Sequence, residues 1–402
     1  MAKFAFVVPP FEGHVNPTLS IGKELLKRGN EVVWIGVDQQ LETVLPPGGK
    51  FLFIAHNYDD QFLKEFKKER TQITIQGLES LKSLYEDILT PLNQYMLDGI
   101  LLYLSEFRPD VLIYDHQLYA GAVAAVKLNI PYAASVTAQT SIKSFNPMPK
   151  LSEWDDEQVV GFQQRNGISG SGRLDESASI LLVYTSKLFF GSGDELPPNY
   201  QFVGPVIKDR PTNYDFDWER FESRKHRKCI LVSIGTIFDN EEMQSFFNKV
   251  IEALKDENLT VIMISDPELF KEIPNNFIIQ KRIPQLQLIP YMELVVCHGG
   301  QNTVSETLLQ GIPLIILPIA FDQSQVANNV VLCNAGIRLK FKRFKSDELK
   351  KSVHEILSND TYRENALKLQ ASFKEAGGVD RAASLLENLV SRKADDTIEI
   401  RT

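Results

Sequence analysis

A stretch in the last third of the chain concentrates side chains that could bind an anion and several hydroxyl groups. It spans residues 298–323 and reads HGGQNTVSETLLQGIPLIILPIAFDQ. Two glycines after His298 let the backbone approach a ligand, and amides at the start of a helix predicted at Asn302 or Thr303 favour a negative charge. Glu306 lies four residues beyond Asn302, so both can face one site. The pattern favours a phosphate at the helix start and a polyol at Glu306.

Asp322 and Gln323 follow the next apolar run, at the end of a predicted strand. Ligands of open α/β sheets bind at the carboxyl ends of the strands. A carboxylate beside an amide suits neighbouring hydroxyls of a sugar. The alternative is an ordinary strand–turn–helix unit in which His298 is only a turn residue, and the spacing by itself leaves both interpretations open.

In the first half of the chain, His14 and Asp115 are the candidates for proton transfer. His14 ends the loop after the first predicted strand, just before a helix predicted to start with Asn16 as N-cap and Pro17 at the first helical position. That helix start disfavours imidazolium, and a carboxylate on one ring nitrogen would fix the tautomer. The alternatives are a loop histidine without chemistry and an aspartate that caps the turn after its strand.

Short apolar runs that alternate with helical patterns predict the βαβ units that position these residues in parallel sheets. The predicted strands are Lys3–Pro9, Glu31–Val37, Asp110–Asp115, Tyr132–Val136, Cys229–Gly235, Leu259–Ile264, Phe277–Gln280, Glu293–Cys297 and Pro313–Leu317. The predicted helices include Tyr119–Lys127, Glu241–Lys255, Asn302–Gln310, Ser346–Leu357 and Arg381–Val390. The segment 141–179 breaks the rhythm and is predicted to be a long loop or a short mobile helical insertion.

We predict two α/β domains of similar size, 1–205 and 229–402, joined by a linker at 206–228 that contains Pro211 and the charged run 220–228. Whether the last helix packs back on the first domain is left open. With 43% hydrophobic and 24% charged residues the chain can bury large cores, and its net charge of −9 argues against nucleic-acid binding.

Three scattered cysteines, Cys229, Cys297 and Cys333, predict small buried side chains in a reducing compartment rather than disulfides. No apolar run approaches the ~20 residues needed to cross a bilayer, so a cytoplasmic protein is predicted. The basic stretch 340–351, with Phe341 and Phe344, suggests either peripheral membrane contact or a solvated surface. The oligomeric state is not predictable from these features.

The motif HGGxNTxxExxxxGIPxxxxPxxxDQ resembles the donor-binding signature of family 1 glycosyltransferases, which use UDP-sugars. The resemblance extends over nearly the whole chain and includes PPFEGHVNP near the start, VGPV at 203–206 and VSIGT at 232–236. It implies the GT-B fold, in which two Rossmann-like, doubly wound α/β domains face each other across a cleft. The chain is most similar in these motifs to bacterial members such as carotenoid (zeaxanthin) and macrolide glucosyltransferases.

The resemblance also implies roles for individual residues. Those assigned to the nucleotide sugar are Gly235 and Thr236 over the phosphates, His298, Gly300, Asn302 and Thr303 at the diphosphate, Gln285 and Glu306 at the ribose, Arg282 and Ile283 at the base, and Asp322 and Gln323 at the sugar. Arg282 stands where plant members have a tryptophan that stacks on uracil. A guanidinium plane can also stack on a base.

The activity implied is an inverting transfer of glucose from UDP-glucose to a hydroxyl of a lipophilic acceptor of phenolic, terpenoid or macrolide type. His14 would be the general base, Asp115 would orient it, and His116 is a candidate for lining the acceptor site. No DxD triplet is present, so no metal is expected. The alternatives are a UDP-sugar epimerase or hydrolase on the same fold and a non-catalytic nucleotide-sugar-binding protein, whereas G-x-G-x-x-G and P-loop motifs are absent.

Overall fold

The computed structural model describes residues 1–55, 61–69, 82–138, 142, 149–191, 196–207, 214–234, 240–320 and 322–399. The chain divides into two compact units. The first comprises Met1–Lys187, Ser192–Lys208 and Glu375–Thr402, and the second comprises Leu188–Gly191 and Asp209–Lys374.

The first unit contains a parallel seven-stranded sheet in the order β3-β2-β1-β4-β5-β6-β7. Its strands are β1 (Lys3–Val7), β2 (Glu31–Gly36), β3 (Lys50–Phe53), β4 (Val111–Asp115), β5 (Tyr132–Val136), β6 (Ile180–Val183) and β7 (Tyr200–Phe202). Its helices are Glu12–Lys27, Gln61–Glu69, Thr90–Phe107, Tyr119–Leu128, Pro149–Arg165 and Gly378–Glu399, with a π-helical turn at Leu84–Leu89 and a 3₁₀ helix at Gln39–Val44. Since β1, β4 and β5 are neighbours and parallel, their carboxyl ends lie together.

The second unit contains a parallel six-stranded sheet in the order β10-β9-β8-β11-β12-β13. Its strands are β8 (Lys228–Ser233), β9 (Leu259–Ile264), β10 (Phe277–Gln280), β11 (Leu294–Cys297), β12 (Leu314–Ile316) and β13 (Gly336–Arg338). Its helices are Lys187–Phe190, Trp218–Glu222, Asn240–Leu254, Gln285–Leu288, Gln301–Leu309, Gln323–Leu332, Ser346–Ser358 and Asp360–Glu375, with 3₁₀ helices at Pro267–Leu269 and Ile289–Tyr291. Buried aliphatic side chains fill both faces of this sheet, as parallel sheets require.

The first helix begins earlier than the sequence predicts. Its N-cap is Phe11, so the predicted start at Asn16 is wrong and Pro17 lies inside the helix. Pro17 has no backbone N–H, so the helix lacks one hydrogen bond there, and the packing of the helix on the sheet offsets this loss. His14 therefore lies in the first helical turn, where its N–H donates to the Phe11 carbonyl at 2.9 Å, and not at the end of a loop.

The segment predicted as a loop or short insertion contains the 17-residue helix Pro149–Arg165. Arg173, which lies beyond this helix, forms ion pairs with Asp155 and Asp156 on it and with Asp175, at 2.5, 3.0 and 2.7 Å. Local composition did not reveal the helix because part of its stabilisation comes from these longer-range pairs.

The last helix, Gly378–Glu399, belongs to the first unit, which is one of the two arrangements that the sequence left open for the end of the predicted domain 229–402. Ala382 and Leu386 lie in the same hydrophobic core as Ile21 of the first helix. Arg28 donates to Glu387 at 2.9 Å, which adds a charged contact between the two helices. The sequence left this packing open because these contacts join positions more than 350 residues apart, which a local composition shift cannot reveal.

The predictions for the basic stretch 340–351 and for the three cysteines concern which side chains are buried. Phe341 and Phe344 are buried against Phe246, so these rings do not present a membrane-binding face. Cys229 and Cys297 are buried and free, as predicted, and Cys333 is free and half-buried. Within the described part of the chain no helix is long and apolar enough to cross a membrane.

Candidate active site

The first unit brings together His14 and Asp115. His14 follows β1 and Asp115 ends the neighbouring strand β4, and His14 Nδ1 lies 2.9 Å from Asp115 Oδ2. Thr137, the first residue after β5, places its hydroxyl 2.8 Å from His14 Nδ1 and 3.3 Å from Asp115 Oδ2. With Nδ1–H donating to the carboxylate, the lone pair of Nε2 is the basic position of the ring.

Asp115 is fully buried and remains the anionic member of this group. Burial opposes its ionisation, but electrostatic interactions with the His14 and His116 rings and hydrogen bonds from His14 and Gln117 lower the pKa of the carboxyl below its usual value. The Gln117 amide donates to Oδ1 at 3.0 Å. A buried carboxylate at this position can stabilise a protonated His14 ring.

His116 packs against His14 as a second, uncharged ring. The two rings are stacked, with centroids 5.9 Å apart and planes 18° apart. Nδ1 of His116 donates to the Ser135 carbonyl at 3.0 Å, and burial lowers the pKa of His116 below its usual value. His116 is therefore neutral near pH 7, and its ring stacks on one face of the His14 ring.

These three residues also raise the question of a metal ion. Ligand atoms of His14, Asp115 and His116 lie within 4.8 Å of one another. The groups that could transfer a proton could therefore also hold a metal ion.

A row of aromatic side chains extends from His14. The rings of Phe11 and His14 meet edge-on with their centroids 5.5 Å apart, and the centroids of Phe11 and Phe66 lie 6.5 Å apart. Phe66 continues to Phe62 at 5.8 Å, and Phe62 stacks on Tyr95 at 4.5 Å. Phe66 is buried, whereas Phe11, Phe62 and Tyr95 are half-buried. The row gives the surroundings of His14 an apolar, aromatic character.

In the second unit, the turn after β11 is built around two glycines. Gly299 has φ +93°, and a Cβ there would lie 2.8 Å from Ile316 Cγ2. A Cβ on Gly300 would lie 2.7 Å from His298 Nε2. Gly300 is the N-cap of the helix Gln301–Leu309, which no side chain caps. The predicted helix start at Asn302 thus lies one residue after the observed start at Gln301. The backbone amides at this end of the helix suit an anion.

His298 is half-buried at this turn, with its Nδ1 atom shielded from solvent. Burial lowers its pKa to about 4, and a hydrogen bond to the Ser233 backbone opposes that shift only in part. The ring is neutral near pH 7, so it can contribute a hydrogen bond to a ligand but no net charge.

Gln285 and Glu306, both predicted to contact a ribose, are joined directly. Gln285 Nε2 donates to Glu306 Oε2 at 2.8 Å, and the Ser233 hydroxyl donates to Gln285 Oε1 at 3.3 Å. Glu306 is only 4% exposed. Ser233 was not singled out from the sequence, although its position at the end of β8 was a usable signal.

Gln323 is oriented by the backbone of its own turn. Its Oε1 accepts hydrogen bonds from the amides of Ile319 at 2.8 Å and Ala320 at 3.0 Å. The oxygen is therefore engaged, and the NH₂ group is the part of the side chain available to a ligand. Asp322, next to it, is half-buried at the start of the helix Gln323–Leu332. With its oxygen held by the backbone, the Gln323 amide is oriented to donate to a ligand rather than to accept from it.

The remaining predicted residues have different surroundings. Ile283 is buried in the core and Arg282 is exposed, with its guanidinium carbon 5.7 Å from the centre of the Tyr214 ring. Asn302 and Thr303 are half-buried in the first turn of the helix Gln301–Leu309. Gly235 and Thr236 lie outside the described residues.

Comparison with known proteins identifies the relatives of this chain. The family model UDP-glucoronosyl and UDP-glucosyl transferase matches residues 173–392. An uncharacterized UDP-glucosyltransferase, YojK of Bacillus subtilis, is 29% identical over 98% of both chains, and the NDP-glycosyltransferase YjiC of the same organism is 27% identical over 96% of both. The calicheamicin glycosyltransferase CalG4 has the same fold, with a TM-score of 0.79 at 20% identity over 98% of this chain and 99% of its own.

The fold expected from the resemblance, two parallel-sheet α/β domains of GT-B type, is confirmed. Because the family model matches more than half of its residues, the chain belongs to the UDP-glucoronosyl and UDP-glucosyl transferase family and is a glycosyltransferase.

Proposed function

We propose that this enzyme transfers glucose from UDP-glucose to a hydroxyl of a lipophilic small molecule with inversion at the anomeric carbon. The observation that carries the proposal is the His14–Asp115–Thr137 network at the adjoining ends of β1, β4 and β5. A neutral imidazole whose Nδ1–H is held by a buried carboxylate is the arrangement of an oriented general base.

In the proposed reaction, His14 Nε2 takes the proton from the acceptor hydroxyl. The hydroxyl oxygen forms a bond to the anomeric carbon as the bond from that carbon to the diphosphate oxygen breaks. The electron pair of the broken bond leaves with UDP, and Asp115 stabilises the imidazolium that has formed. An α-linked donor sugar therefore yields a β-glycoside.

On the donor side, the start of the helix Gln301–Leu309 stabilises the charge that develops on the leaving diphosphate. Glu306, held by Gln285, accepts hydrogen bonds from the ribose hydroxyls. These backbone amides take the place that a divalent cation has in other transferases. We expect activity to survive exhaustive chelation, and a requirement for Mg²⁺ or Mn²⁺ restored by titration would contradict this part of the proposal.

For the sugar, the proposed contacts are the Asp322 carboxylate as acceptor and the Gln323 NH₂ as donor. The fixed direction of the Gln323 amide supports discrimination between epimers, because a hydroxyl moved from equatorial to axial loses its partner. We expect a higher kcat/KM for UDP-glucose than for UDP-galactose with one acceptor. Equal values would remove Gln323 as the sugar-reading residue.

For the acceptor, the aromatic row from Phe11 to Tyr95 supports an apolar molecule at His14. Phenolic, terpenoid and macrolide-like hydroxyl compounds all fit this description. For the nucleotide, Arg282 offers a stacking plane without a base-specific pattern, and dTDP-glucose is proposed as a second donor. The relative YjiC, whose name specifies only an NDP-sugar, supports this broader choice.

The test is incubation with UDP-glucose and a panel of phenols, terpenoids and macrolides. UDP release that depends on the acceptor, with a β-glycoside as product, is expected. Release of UDP without acceptor would indicate a hydrolase, formation of the epimeric UDP-sugar would indicate an epimerase, and binding without turnover would indicate a non-catalytic protein.

A further inference from the structure

An exposed tyrosine underlies the guanidinium of Arg282. The Arg282 guanidinium carbon lies 5.7 Å from the centroid of the Tyr214 ring, within the range of a cation–π contact. Tyr214 is 43% exposed and Arg282 is exposed as well. The guanidinium carbon thus lies over the ring, and the pair lies at the surface where a ligand can reach it.

The segment that carries Tyr214 is anchored by the fold. Two residues after Tyr214, Phe216 is buried and packs edge-on against Phe221. Gln280, the last residue of β10, donates from Nε2 to the Asp215 carbonyl at 3.5 Å. The segment that carries Tyr214 is therefore held at the carboxyl end of β10, directly beside the segment that carries Arg282.

Arg282 and the preceding residue Lys281 differ in their ion pairs. Lys281 pairs with Asp266 at 2.8 Å, whereas Arg282 forms no ion pair with any residue that the structure describes. Three positions further along, Gln285 contacts Glu306. The Tyr214–Arg282 stack therefore stands at the same sheet edge as the side chains proposed for the ribose.

We propose that Tyr214 is a positioning residue for nucleobase binding, which holds the Arg282 guanidinium flat so that its opposite face stacks on the base of the donor. The inference rests on the proposed function, since it needs a nucleoside diphosphate at this sheet edge. Guanidinium planes stack on aromatic faces, and Arg loses less entropy when its plane is already oriented. Tyr214 supplies that orientation before the ligand arrives.

The experiment is a double-mutant cycle on the full-length enzyme, with calorimetric titration of UDP and steady-state kinetics with UDP-glucose. We expect Tyr214→Ala to raise the Kd of UDP and the KM of UDP-glucose about 2- to 5-fold with kcat unchanged, the size of an exposed cation–π contact. Tyr214→Phe keeps the ring and should retain wild-type values. In an Arg282→Ala background, Tyr214→Ala should have no further effect. Tyr291→Ala removes another exposed tyrosine of the same unit and is the matched control.

The outcomes separate this inference from the proposed function. If the wild-type enzyme does not bind UDP, the proposed donor is wrong and the inference is overturned with it. If the wild type binds UDP but Tyr214→Ala binds it equally well, only the inference is overturned. The same holds if the loss caused by Tyr214→Ala persists in the Arg282→Ala background, because Tyr214 then acts independently of the guanidinium.

Discussion

The candidate sites of the two units differ in what the backbone contributes. In the first unit, side chains bond to one another, and the proton position on His14 is set by Asp115 and Thr137. In the second unit, the side-chain pair Gln285–Glu306 is accompanied by a glycine turn with exposed helix-start amides, and the side chain of Gln323 is held by backbone N–H groups. The first construction suits a proton transfer, and the second suits recognition of an anion and a sugar. Mutations should accordingly separate turnover from donor binding.

The largest expected effect would come from the first unit. His14→Ala should lower kcat by about 10²- to 10⁴-fold, the usual contribution of a general base, while the Kd of UDP stays near the wild-type value. Rates with one acceptor and calorimetric titration of UDP measure the two quantities. His226→Ala, which removes an exposed histidine, is the control. Near-normal glycosylation by His14→Ala would remove the distinction between the two units.

The reverse pattern is expected for the glycine turn of the second unit. Gly299→Ala forces a side chain into φ +93° and against Ile316, at a strain of roughly 1–3 kcal/mol. Relief of that strain moves the turn amides away from the position proposed for the diphosphate, so the Kd of UDP should rise, by up to about 150-fold at 1.36 kcal/mol per decade. Gly172→Ala is the matched control, because a Cβ at Gly172 meets no atom within 4 Å. Unchanged UDP affinity in Gly299→Ala would argue against this turn as the diphosphate site.

A smaller effect would test the direction of the Gln323 amide. In Gln323→Glu one oxygen still accepts from Ile319 and Ala320, while the second oxygen replaces the NH₂ donor. Loss of the donated hydrogen bond, about 0.5–1.5 kcal/mol, predicts at least a roughly 2- to 12-fold lower kcat/KM for UDP-glucose, and the added charge at a position only 6% exposed should also lower the melting temperature. Thermal unfolding and kinetics distinguish the effects. An equally active variant would show that donation from Gln323 is not used.

The smallest effect concerns stability at acid pH. Burial lowers the pKa of His298 to about 4 from a usual value of 6.5, so the unfolded chain binds more protons than the folded one between these values. His298 should therefore contribute a loss of stability as the pH falls from 6.5 toward 4. The melting temperature of the wild type should decline more steeply over this range than that of His298→Gln. Parallel curves would show that His298 is not shielded from solvent as the structure indicates.

Much of the architecture could be predicted from the sequence because it follows from local patterns. The strands Leu259–Ile264 and Phe277–Gln280 agree with their predicted bounds, since continuous apolar runs identify buried parallel strands. His14 and Asp115 could be paired before the structure was known, because both stand at strand ends. The two glycines after His298 likewise predicted a helix start with exposed backbone amides, and no side chain caps that helix.

Features that depend on contacts between distant parts of the chain were decided only by the tertiary structure. Packing against the sheet lets the first helix begin before Pro17, and contacts with that helix bring residues 378–399 into the first unit. Thr137 joins His14 and Asp115 because the ends of neighbouring strands meet in the folded sheet. The direction of the Gln323 amide depends on which backbone N–H groups its own turn presents to it. Residue type and spacing determine what a side chain can donate or accept, but only the folded chain determines which partner uses that capacity.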